Sequence, residues 1–118
     1  ATPVHELALM TAIIERVCAT ARDEHAPRVR VIHVTCGTLS GVVPDALRFC
    51  FDVCTAGTIA EGATLDITMV PARWRCRQCG AETDDAERPL PAHCTHCGAD
   101  AMELSDGRQF QLVSIEVD

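Results

Sequence analysis

At 118 residues the chain suits one domain, or one domain carrying a small subdomain, and 47% of its residues are apolar. Its formal charge of −7, with every basic residue an Arg, argues against nucleic acid as the main partner, because phosphate binding needs concentrated positive charge. Three Phe, one Trp and no Tyr leave a core built from Val, Ile, Leu, Ala and Met, modest enough for a metal staple to matter.

Pro3 to about Glu24 reads as an amphipathic helix, because Leu7, Met10, Ile13, Ile14, Val17 and Ala21 recur at three- and four-residue intervals. Thr2 suits the N-cap, Pro3 suits the first helical position, and Pro27 closes the segment. Val29 to Thr38 is rich in β-branched residues and reads as a strand. Pro44-Asp45 then opens a second helix that runs to about Thr55, with Leu47, Phe51 and Cys54 on one face and Gly57 as its stop. Leu65, Ile67 and Met69 alternate with Asp66, Thr68 and Val70 in a strand that Pro71 ends. Residues 72–107 lack a sustained period and contain Pro89, Pro91 and six acids between Glu82 and Glu103. Alternation returns from Phe110 to Val117 as a last strand. The order predicts an α+β fold, two helices packed on a small three-stranded sheet, with an inserted zinc-ribbon subdomain. The expected division is 1–71 plus 108–118 for the α+β part and 72–107 for the insert, whose two ends should lie close together.

The insert contains Cys76-Arg-Gln-Cys79-Gly80 and Cys94-Thr-His-Cys97-Gly98, with fourteen residues between Cys79 and Cys94. Each C-x-x-C turns two sulfurs toward one metal, and the following Gly accepts the positive φ of such a turn. Cys76, Cys79, Cys94 and Cys97 therefore make a closed S₄ set for structural Zn²⁺, with iron as the competing ion of the same geometry. His93 and His96 flank the second knuckle and read as exposed turn residues, because four sulfurs already satisfy zinc. From Arg73 to Arg108 five Arg face seven acids, and a thiolate-bound zinc adds further negative charge. A basic protein surface suits this insert better than phosphate does.

The chain has eight cysteines, which raises the alternative of a secreted disulfide framework. Residues 1–20 lack a basic region followed by a continuous apolar run, and no stretch is long enough to span a bilayer. A reducing cytoplasm, without leader or membrane anchor, is the expectation. Cys50 and Cys54 lie four apart on one helix face and, with Cys18 and Cys36, read as core thiols. No nucleophile–base pair, phosphate loop or open metal site is apparent, so catalysis is not expected.

Taken in order, the motifs identify a family. Val4-His5-Glu6-Leu7-Ala8-Leu9 opens the first helix. Gly37-Thr38-Leu39-Ser40, Arg48-Phe49-Cys50-Phe51, Gly57-Thr58-Ile59-Ala60-Glu61-Gly62, the double C-x-x-C and Ser114-Ile115-Glu116-Val117 follow. This set resembles the HypA/HybF family, nickel-insertion accessory proteins of nickel–iron hydrogenase maturation, from Val4 onward. The resemblance implies a nickel metallochaperone rather than an enzyme. It implies a Ni²⁺ site in the N-terminal segment, with His5 as the main side-chain ligand and Glu6 beside it. It also implies a nickel-handling GTPase and the hydrogenase large-subunit precursor as partners, with no nucleic acid and no membrane. Members use a free amine on the residue before His, whereas Ala1-Thr2-Pro3 precede Val4 here, and Pro3 has no N–H to offer a metal. The expectation is that Val4 marks the native start. Some relatives carry an acid where Val43 stands, and Asp45 lies two residues on. A zinc-ribbon module that binds nucleic acid or a protein partner is the alternative reading.

Overall fold

A computed structural model describes residues 3–84 and 93–118. Helix α1 spans Pro3–Asp23, strand β1 Val29–Gly37, helix α2 Pro44–Thr55 and strand β2 Thr64–Val70. Strands β3 (Arg73–Cys76), β4 (Glu82–Asp84) and β5 (Met102–Asp106) follow, and β6 (Phe110–Val117) ends the chain. Two three-stranded sheets result, in the orders β2-β1-β6 and β4-β3-β5.

Helix α1 places Met10, Ile13, Ile14, Val17 and Ala21 in the core. Leu7, expected inside, is 41% exposed, while the neighbouring Glu6 is fully buried. The buried stripe thus begins at Glu6 and runs on to Met10, four residues later, leaving Leu7 about 100° off its line. The helix stops before Pro27 by its own hydrogen bonds. His25 takes φ 56°, its N–H donates to the Arg22 carbonyl, and the Ala26 N–H donates to the Ala21 carbonyl. This is a Schellman ending with His in the place usually taken by Gly. The expected Thr2 cap lies outside the described residues.

Strands β1 and β2 pair in parallel, so α2 forms the crossover between them, and β6 pairs antiparallel on the other side of β1. Ile32, Val34 and Cys36 of β1 are buried together with Leu47, Cys50 and Phe51 of α2. Both helices therefore cover one face of this sheet, as two helices on three strands require.

The insert contains three strands that its residues did not announce. Strand β3 is four residues long and buries only Trp74 and Cys76, and β4 is three residues long, so neither carries a readable apolar period. The two ends of the insert do meet. A Cβ on Gly107 would lie 2.7 Å from the Ala72 Cα, and one on Gly37 would lie 2.1 Å from the Gly107 carbonyl oxygen.

Candidate metal centre

Each C-x-x-C folds into the same turn. The Gly80 N–H donates to the Cys76 carbonyl at 2.9 Å, and the Gly98 N–H to the Cys94 carbonyl at 2.8 Å. Gly80 and Gly98 take φ of 79° and 78°, a conformation that a side chain resists. Backbone N–H groups then point at sulfur: Ala81 donates to Cys79 Sγ, and His96 and Cys97 donate to Cys94 Sγ.

The turns bring the four predicted sulfurs together, all within 4.8 Å of one another. Cys76 Sγ lies 3.7 Å from Cys97 Sγ, and Cys79 Sγ lies 3.7 Å from Cys94 Sγ. A tetrahedron with metal–sulfur bonds of about 2.3 Å has edges of about 3.8 Å. The spacing thus fits a tetrahedral S₄ ion.

The electrostatics point the same way. The Cys97 N–H, ahead of that of His96, pulls the Cys94 thiol down to about 6. The Cys79 and Gln78 N–H groups lower Cys76. The Ala99 N–H favours the Cys97 thiolate, but desolvation and the neighbouring sulfurs outweigh it and push that thiol up to about 12. Cys79 is likewise raised, because desolvation and the Cys94 sulfur outweigh the Ala81 N–H. Four sulfurs this close cannot all ionise unaided, and a dication removes the conflict. His93 and His96 are exposed, and the cluster contains cysteines alone among the described residues.

The second predicted site lies in the first turn of α1. His5 is exposed, whereas the Glu6 side chain turns inward. Glu6 Oε2 accepts a hydrogen bond from the Val43 N–H at 3.4 Å, and Glu6 Oε1 is buried without a partner among the described residues. Val43 is the N-cap of α2 and has no side-chain cap of its own. In a capping box the N3 residue supplies a carboxylate to this N–H, but Ala46 stands there. Glu6 takes over that task from another helix. The structure therefore brings the first turn of α1 against the start of α2. It does not bring the Glu6 carboxylate beside the His5 ring, because adjacent helical residues point about 100° apart.

One cluster was missed from the sequence. His33 Nδ1 lies 2.7 Å from Asp66 Oδ2, and His33 Nε2 lies 2.6 Å from Glu116 Oε2. The three residues sit on β1, β2 and β6, so only the strand register assembles them. The available signal was a lone His between buried Ile32 and Val34, which must face away from the helices.

A small α+β fold with a four-cysteine knuckle pair defines a metal-binding protein. The profile described as "Hydrogenase/urease nickel incorporation, metallochaperone, hypA" matches residues 4–117, and the chain belongs to this family. The hydrogenase maturation factor HypA of a Synechococcus strain is 42% identical over 114 residues, covering 97% of this chain and 99% of its own. That of Rhizobium leguminosarum bv. viciae is 38% identical over 114 residues, with the same coverage of 97% and 99%. The solution structure of the nickel metallochaperone HypA from Helicobacter pylori has a TM-score of 0.63 at 18% identity, covering 95% of this chain and 96% of that one. A second HypA solution structure reaches 0.75 at 18% identity, covering 99% and 98%. At that identity the two solved structures speak for the fold. No helix among the described residues is long and apolar enough to cross a membrane.

Proposed function

We propose that the chain binds Ni²⁺ at its N-terminal segment and delivers it to a hydrogenase large-subunit precursor with the help of a nickel-handling GTPase. Cys76, Cys79, Cys94 and Cys97 would hold a resident Zn²⁺ that shapes the insert, residues 72–107, while 1–71 with 108–118 carry the nickel. Zinc would cross-link β3 to the second knuckle and leave no position for water, which suits structure rather than catalysis. A reducing cytoplasm suits four unpaired thiolates.

The observation that carries the reading is the Glu6–Val43 hydrogen bond. It anchors the first turn of α1 to the start of α2 while His5 stays open to solvent. His5 is thus an accessible imidazole on an anchored turn, the ligand type that borderline Ni²⁺ favours. For Glu6 to join it, the carboxylate must leave Val43 and the first turn must open. A ligand set that forms by unwinding one turn releases its ion when the turn closes again, as a carrier needs.

Nickel K-edge absorption on zinc-loaded protein with one equivalent of Ni²⁺ tests this directly. Nitrogen and oxygen scatterers around nickel, with sulfur still around zinc, are expected. Sulfur around nickel would place the cargo at the cysteines and overturn the reading.

A further inference from the structure

We propose that the free edge of β6, with the trough between β6 and α1, is a docking site for a short, extended, acidic segment of a partner protein. The inference is independent of where nickel binds.

Strand β6 is eight residues long and, among the described residues, pairs with β1 alone, so its other edge carries backbone groups that no described strand pairs. Helix α1 closes over it incompletely. Phe110, Leu112 and Ile115 are only partly buried. A hollow of about 430 Å³ opens between Phe110 and Leu112 on one side and Leu9, Ile13 and Arg16 of α1 on the other. Beyond Arg16 a second hollow of about 220 Å³ continues along Val17 to Ile115. A strand added to β6 would place alternate apolar side chains in this trough.

Charge decides what kind of strand fits. Arg16 borders both hollows, and Arg108 stands just ahead of β6 in the adjoining depression. Neither side chain makes an ion pair or hydrogen bond among the described residues. The nearby Asp106 is engaged, since its Oδ1 accepts from the Gly107 N–H and from Gln109 Nε2. Two cations without an ion pair among the described residues, along one edge of a chain of charge −7, complement carboxylates. A second copy fits poorly. It brings another −7, and the acids at the end of β6 are committed, Glu116 to His33 and Asp118 to Arg30.

The bulge sets the length. His33 pairs with Ser114 and Val34 with Leu112, so Val113 is an extra residue in β6, 60% exposed. A bulge in an edge strand blocks long, indiscriminate pairing. It leaves Phe110–Leu112 and Ser114–Val117 as two short tracts, each beside one hollow.

The test uses full-length, zinc-loaded, ¹⁵N-labelled protein and an end-blocked Val-Glu-Val-Glu-Val-Glu peptide. Two controls accompany it: the same peptide with Lys for Glu, and the acidic peptide N-methylated at alternate amides. Amide shifts confined to β6 and to residues 9–16 are expected, with both controls losing binding. Arg16→Glu or Arg108→Glu, exposed changes that spare the core, should weaken the acidic peptide about ten-fold. Absent β6 shifts, or equal binding of the Lys peptide, overturn the proposal. A dimeric mass with protected β6 amides also overturns it, because a second copy then fills the edge.

Discussion

Gly37 and Gly107 meet backbone against backbone at the junction between the two sheets. The Gly37 N–H donates to the Gln109 carbonyl at 2.7 Å, and the Leu39 N–H donates to the Gly107 carbonyl at 2.8 Å. A Cβ on Gly37 would sit 2.1 Å from the Gly107 oxygen. On Gly107 it would sit 2.7 Å from the Ala72 Cα, and the residue's φ of +104° adds strain of its own. The obstructing atoms are backbone, so they cannot swing away. Gly37→Ala and Gly107→Ala are each expected to cost about 2–4 kcal/mol in urea unfolding. A loss within about 0.5 kcal/mol would contradict the contact.

Glu6 offers a second measurement of how the elements are tied. Removing its carboxylate leaves the Val43 N–H of α2 without an acceptor. Glu6→Ala should cost about 1–2 kcal/mol, whereas Glu6→Gln retains an acceptor oxygen and should cost less. Equal stability of Glu6→Ala and wild type would show that the cap carries no weight.

The His33 bridge gives a pH dependence of defined sign. Both ring nitrogens face carboxylates, so only the imidazolium donates to both. The hydrogen bond to Glu116, followed by that to Asp66, raises the His33 pKa above 6.5. The folded state therefore holds this proton more tightly than the unfolded chain. Its stabilisation is complete below about 6.5 and fades as pH rises through the raised folded value. The melting-temperature gap between wild type and His33→Gln should be widest in mild acid and should shrink as pH climbs. Acid loss of zinc affects both proteins and cancels in the difference. A gap that is constant with pH would show that His33 does not titrate in this window.

Metal removal should separate the two sheets. Cys97 is pushed up to about 12, so zinc must displace protons to bind, and affinity should fall in acid. Chelation, or Cys94→Ala, is expected to abolish zinc binding and to disorder strands β3 to β5 while the helical circular dichroism of α1 and α2 persists. Loss of helical signal together with the metal would mean that the insert supports the whole fold.

How much of this was readable in the residues varies with the range of the interaction. Helices α1 and α2 and strands β1, β2 and β6 carry their periods locally, and their bounds follow from Pro3, Pro44, Gly57 and Pro71. The four cysteines were legible because each knuckle is a local turn with its own Gly. Strands β3 to β5 were not, since they pair over a few residues and bury little beyond Trp74 and Cys76. The inward turn of Glu6 was hidden for another reason. Its hydrogen-bond donor is the Val43 N–H, 37 residues away, and helical periodicity favoured Leu7 for the core. The His33 bridge needs two strand registers at once, which no single segment encodes.

The most direct test of nickel carriage is isothermal titration of Ni²⁺ into zinc-loaded wild type and His5→Ala under one set of buffer conditions. His5 is exposed, so the substitution should leave the fold intact. A loss of at least about ten-fold in nickel affinity, with zinc content unchanged, is expected. Unchanged nickel affinity in His5→Ala would contradict the N-terminal site.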